Sequence, residues 1–166
     1  MAASKLYQAV ETAITFKASG GDVVFTPKNV ANGAGRISAR ADLGAWSKNR
    51  LYRFYGETQC QATPTVGRSV DMYFAGWDED TPASPIGDVG SSDAAFSTEN
   101  DLLDLSLIGQ IFVDAATASV KFIRGGLILI PYRYVSIVWW NATGASLTNV
   151  DADHIFRLTP FTLEQQ

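Results

Sequence analysis

The sequence predicts an all-β protein: a single antiparallel β-sandwich of the jelly-roll kind, with a short N-terminal arm. Three observations carry this expectation. Helical periodicity is nearly absent from the 166 residues. Short runs rich in β-branched and aromatic residues recur instead, separated by Gly, Pro, Asn, Asp and Ser. The runs number about eight to ten, which suits a jelly roll of eight strands in two sheets. An immunoglobulin-like sandwich is the alternative, but its Cys–Trp–Cys pattern is missing.

Residues 1–11 read as the arm and residues 12–166 as the sandwich domain. Within the arm, residues 4–11 could form a short helix. Residues 12–17 and 22–26 read as strands joined by the turn Ala18-Ser19-Gly20-Gly21. Residues 36–42 form one strand, because Ile37, Ala39 and Ala41 alternate with Arg36, Ser38, Arg40 and Asp42. That pattern gives one buried and one wet face. Residues 50–61 follow, with Tyr52, Phe54 and Cys60 on one face and Arg53, Tyr55 and Glu57 on the other. In residues 69–77, Val70, Met72 and Phe74 oppose Asp71 and Tyr73. Residues 78–101 hold many acids and breakers and no strand signal. A loop of that length is uncommon in a compact domain and marks function or mobility. Strands resume at 105–113, 119–124, 127–131, 134–140 and 154–158. Arg124-Gly125-Gly126 reads either as a break or as a bulge within one longer strand. No internal repeat and no second domain are visible.

The net charge is −4, and thirteen Lys and Arg are scattered among seventeen Asp and Glu. A nucleic-acid binder usually shows a basic stripe, so this balance argues against that partner. No run approaches the ~20 apolar residues needed to cross a bilayer, and the N-terminus has no apolar leader segment. The lone Cys60 cannot form an internal disulfide and reads as a small buried hydrophobe. Asn141-Ala142-Thr143 fits the glycosylation pattern and reads as chance.

No catalytic or cofactor constellation emerges. The only histidine, His154, has Asp151 and Asp153 beside it, but no nucleophile elbow accompanies them. The acids Asp78, Glu79, Asp80, Asp88, Asp93, Glu99, Asp101 and Asp104 lack calcium-loop spacing and read as a solvated loop. Gly33-Ala34-Gly35 reads as a strand connection, without the Lys-Ser/Thr of a phosphate loop.

Trp139 and Trp140 adjoin on a strand that is apolar on both faces. Alternation puts Val135, Ile137 and Trp139 on the core side, and Tyr134, Ser136, Val138 and Trp140 on the other. In a two-sheet sandwich only one face meets the core. The second face therefore meets a loop of the chain, another subunit or a ligand. Leu6, Tyr7, Val10, Tyr132, Tyr134, Val138 and Trp140 are the interface candidates. Sugar stacking on Trp140, Tyr132 or Tyr134 is the competing use.

The segment RYVSIVWWNATGASLTNVDADHIFRLTP, residues 133–160, resembles the C-terminal part of small virion proteins encoded among the structural genes of tailed bacteriophages. The shared pattern is an R-Y-V-x-x-V strand, a polar N-x-T turn and a final I/F-x-L-T-P strand. Val70-Asp71-Met72-Tyr73-Phe74-Ala75 and the Ile108-Gly109 strand are similar in order and spacing, and the likeness spans residues 35–160. The Trp pair departs from the pattern. The resemblance implies a non-enzymatic head decoration, or cement, protein on the capsid exterior. It would be a homotrimer bound to the major capsid protein, with no cofactor. A tail or fibre component is the nearest alternative.

Overall fold

The computed structural model describes residues 6–8, 11–44, 50–78, 92–161 and 163–165, without side chains for 6–8 and 163–165. The strands are β1 (Leu6–Gln8), β2 (Ile14–Lys17), β3 (Val23–Val24), β4 (Ala34–Ile37), β5 (Ala41–Asp42), β6 (Arg50–Gln59) and β7 (Ser69–Trp77). They continue with β8 (Ala94–Phe96), β9 (Ser106–Phe112), β10 (Lys121–Ile130), β11 (Tyr134–Asn141), β12 (Ile155–Pro160) and β13 (Leu163–Gln165). One sheet has the order β10-β6-β12-β2-β3, and the other β8-β4-β11-β7-β9 with β5 beside β11. The eight principal strands are β2, β4, β6, β7, β9, β10, β11 and β12. Ranked one to eight along the chain, they give sheets of order 1-8-3-6 and 2-7-4-5. The neighbours pair antiparallel. The result is a jelly-roll sandwich.

Alternation explains the core. Phe16, Tyr52, Phe54, Phe122, Ile130, Phe156 and Leu158 come from one sheet. Val70, Met72, Phe74, Ile111, Val135, Ile137 and Trp139 come from the other. Both long central strands, β6 and β7, keep the inward set read from the sequence. Edge-to-face rings lock the layer, with Phe16 on Phe156 at 5.7 Å and Phe25 on Trp139 at 5.1 Å.

Several elements differ from expectation. The arm forms no helix at Leu6–Gln8; its backbone pairs antiparallel with β13, Leu6 opposite Gln165. One turn of helix carries a nucleation cost for few hydrogen bonds, whereas a neighbouring strand satisfies the same groups at once. β2 and β3 run parallel, Phe16 opposite Val23, so the turn between them doubles back instead of closing a hairpin. The strand expected over 36–42 is split. Ser38 Oγ donates to Ala39 O at 2.7 Å and accepts from Ile137 N at 2.9 Å, while Ala39 N donates to Val24 O. Ser38 N still donates to Ile137 O, but the serine hydroxyl takes the return bond and Ala39 turns to β3, which ends the ladder at the crossing. β10 runs unbroken through Arg124-Gly125-Gly126, ten residues in register with β6.

Residues 78–101 were expected to lack regular structure. Residues 79–91 lie outside the described residues, but β8 pairs with β4, and a 3-10 turn spans Glu99–Asp104. Asp93 is no solvated acid. It accepts from Thr26 N at 3.1 Å, Thr26 Oγ1 at 2.5 Å, and Arg36 Nε and Nη2 at 2.9 and 2.6 Å.

Candidate interaction surface

Trp139 is 1% exposed and lies in the main core with Val135 and Ile137. Trp140, on the opposite face, is 5% exposed. Its cover is the chain itself. Phe96 from β8, with Leu102 and Leu105 around the 3-10 turn, packs with Ile37, Ala75, Trp77, Tyr134, Val138 and Trp140 into a second apolar cluster. The Asp93–Arg36 ion pair pins this cover to β4. Burial alone would raise the Asp93 carboxyl, but the bonds from Arg36 and Thr26 outweigh it and hold the group below the usual carboxylate range.

The interface candidates therefore do not form one exposed patch. Tyr134, Val138 and Trp140 are buried under residues 94–105. Tyr134 also lies beneath the guanidiniums of Arg40 and Arg133, at 4.9 and 4.8 Å. Tyr132 is half-buried against Phe74 and spans Gly76, where an added Cβ would sit 1.9 Å from its ring. Leu6 and Tyr7 are described only as backbone, and Val10 lies outside the described residues. Sugar stacking needs an exposed ring face, which Trp140 and Tyr134 do not offer. A polar cleft of about 290 Å³ is lined by Asn32, Thr65, Arg68, Glu99 and Trp140, of which Trp140 is 5% exposed. The alternation rule showed that the second face was covered; it could not identify the cover.

The polar groups singled out in the sequence are structural. His154 is fully buried, its Nε2 3.1 Å from Thr148 O and its Nδ1 2.9 Å from Thr58 Oγ1. Asn141 is also fully buried. Its amide donates to Val30 O and Ala145 O, and its Oδ1 accepts from Thr143 N and Oγ1. The glycosylation-like triplet is therefore a loop clamp. Cys60 is buried, which pushes its thiol up and away from the reactive thiolate. Among the described residues, no three His, Cys, Asp or Glu side chains are grouped to hold a metal ion.

The exposed apolar surface lies elsewhere, on the outer face of the β10-β6-β12 sheet. Ile123, Leu127 and Leu129 point outward from β10 and are 54–57% exposed. Their cross-strand partners on β6 are Glu57, Arg53 and Leu51. Gly125 faces outward opposite Tyr55. Its missing side chain opens an apolar groove of about 390 Å³, walled by Tyr55, Leu127 and Phe161 and rimmed by Arg53. β10 is the last strand of its sheet, and no residue of it makes a backbone hydrogen bond beyond the β6 ladder among the described residues. At the adjoining edge of the other sheet, β9 exposes Leu107 and Phe112.

This face is also basic. Lys17, Arg53, Lys121 and Arg157 stand on the outward positions of β2, β6, β10 and β12, with the acids Glu57 and Asp153 close to Lys121. Lys121 pairs with Glu57, and Arg157 lies 5.8 Å from the Tyr55 ring centroid. Arg53 has no side-chain partner among the described residues. The signal was readable in Leu127-Ile128-Leu129-Ile130, a run apolar on both faces like that of β11. No protein-family model matches the chain, and no curated protein matches it.

Proposed function

We propose that this chain is a non-enzymatic structural protein that acts by protein–protein contact through the outer face of β10. The observation that carries this reading is the contrast between the two outer faces of the sandwich. One is sealed by the chain's own residues 94–105; the other leaves Ile123, Leu127 and Leu129 more than half exposed on a ten-residue strand that, among the described residues, pairs only with β6 and has β9 beside its other edge. Long apolar edges are normally shielded, because they template pairing with another chain. Scattered apolar residues need no explanation, but a contiguous apolar patch marks an interaction site.

The setting that fits is the one implied by the phage resemblance of residues 133–160: a decoration protein on the exterior of a tailed-phage head. A protein that binds the assembled shell, and not its free subunit, stabilises the shell by linkage. Electron microscopy of the source particle tests this. Density for the sandwich on the head exterior, with the β10 face against a neighbouring protein, is expected. Absence of the chain from the particle, or placement with the β10 face bare, sinks the proposal.

A further inference from the structure

The groove beside Gly125 has a counterpart on the opposite side of the same molecule. In the 3-10 turn Glu99–Asp104, Leu102 is anchored in the second cluster, and Leu103 projects outward with 85% of its surface exposed, more than any other large apolar residue described. Its neighbours Glu99, Asp101 and Asp104 are exposed acids. Thus one side offers an aliphatic knob flanked by the acids Glu99, Asp101 and Asp104. The other offers an apolar groove, walled by Tyr55, Leu127 and Phe161, in a basic surround.

We infer that a second copy of this chain occupies the groove, with its Leu103 between Tyr55 and Leu127 and its Asp101 and Asp104 facing Arg53 and Arg157. This inference names the partner within the protein-contact reading above and rests on it. Both the apolar and the charged parts are complementary, and complementary potentials fix register and disfavour wrong partners. The two surfaces belong to different sheets, so the contact is heterologous. Repeated, it makes a closed ring if the rotation closes and a filament if it does not. A symmetric pairing of two β10 edges would use neither Leu103 nor the acids.

The test is sedimentation equilibrium on the full chain, on Leu103→Lys, on Leu127→Glu, and on their mixture. Both positions are exposed, and circular dichroism verifies the fold of each variant. Arg53→Glu and Asp101→Arg serve as a second pair should either variant fail to fold. The wild type is expected to self-associate, more weakly at high salt. Each variant alone is expected to dissociate at tenfold higher concentration or more. The mixture is expected to regain association, because each variant keeps the surface its partner lacks. A monomeric wild type, a variant that assembles like wild type, or a mixture that stays dissociated overturns the inference. None of these results removes the chain from the particle, so the broader reading stands or falls separately by microscopy.

Discussion

The rings of Phe96 and Trp140 meet edge to face, with centroids 6.3 Å apart and planes at 88°. One ring belongs to the cover and the other to the outward face of β11. One position earlier, Trp139 makes the same kind of contact with Phe25, at 5.1 Å and 88°, inside the main core. Two consecutive tryptophans thus close two separate apolar clusters, one between the sheets and one outside them.

Their removal should differ in kind. Trp139→Ala empties a core site and should unfold the domain or cost ~3–5 kcal/mol. Trp140→Ala should leave a folded sandwich, lose ~2 kcal/mol because the cover can settle into the space, and raise amide exchange across residues 94–105. A cycle of Trp140→Ala with Phe96→Ala should give a coupling of ~0.5–1.5 kcal/mol. Additive losses, or unfolding by Trp140→Ala with tolerance of Trp139→Ala, would show that the cover is not held this way.

Asp93 is the polar half of the same cover. Asp93→Asn keeps the shape but leaves the Arg36 guanidinium without its carboxylate, and should cost ~1–3 kcal/mol. The folded carboxyl titrates below its unfolded value of about 3.9. Its contribution is therefore fully present above pH ~4 and is lost as the pH falls through the folded value. Urea melts from pH 7 to pH 3 should show a shallower acid loss in Asp93→Asn than in wild type. Identical slopes would remove Asp93 from that role.

Alternation made the long strands legible. In β6, β7 and β11 every inward residue could be assigned from period two, and Trp139 followed from it. What alternation cannot show is which distant segment lies on a covered face. Phe96 and Leu102 are too sparse among acids and breakers to signal a strand or turn, and Leu105 reads as the start of the next strand, yet together with Asp93 they seal Trp140. Hydroxyl substitution at Ser38 broke a strand that looked continuous. The two glycines of β10 read either as a break or as a bulge within one longer strand; the strand is continuous and in register with β6, where Gly126 leaves room for Phe54 and Gly125 leaves a groove.

Those two glycines give a direct comparison. An added Cβ at Gly126 would lie 2.7 Å from the Phe54 ring, whereas one at Gly125 meets only the Phe54 carbonyl, at 3.3 Å. Phe54 is 4% exposed and has little room to move. Gly126→Ala should therefore cost ~1–3 kcal/mol as an overpacked core does. Gly125→Ala should stay within about 0.5 kcal/mol of wild type, since strand glycine is itself unfavourable. Equal losses at the two positions in thermal melts would mean that the strand does not present them to opposite faces.

His154 is the only histidine in the chain. A carbonyl can only accept, so the bond to Thr148 O places the proton on Nε2, and Nδ1 accepts from the Thr58 hydroxyl. The neutral ring is satisfied on both sides. Burial pushes its pKa down, against smaller upward pulls from the Thr148 carbonyl, Asp153 and Asp151. The folded value thus lies below the unfolded value of about 6.5, and between the two the unfolded chain binds more protons. Stability should be flat above pH ~6.5 and fall as the pH drops below it, by up to ~1.4 kcal/mol per pH unit, until the folded value is passed. With no second histidine, that slope can be assigned to one residue. His154→Gln should lose ~1–3 kcal/mol at pH 8 through the broken Thr58 and Thr148 bonds, and should lose the slope between pH 6.5 and 5. Denaturant melts at half-unit pH steps read both effects. An unchanged slope in the variant, or a wild type that gains stability on acidification from pH 7 to 5.5, would show that His154 is not held neutral in the folded state.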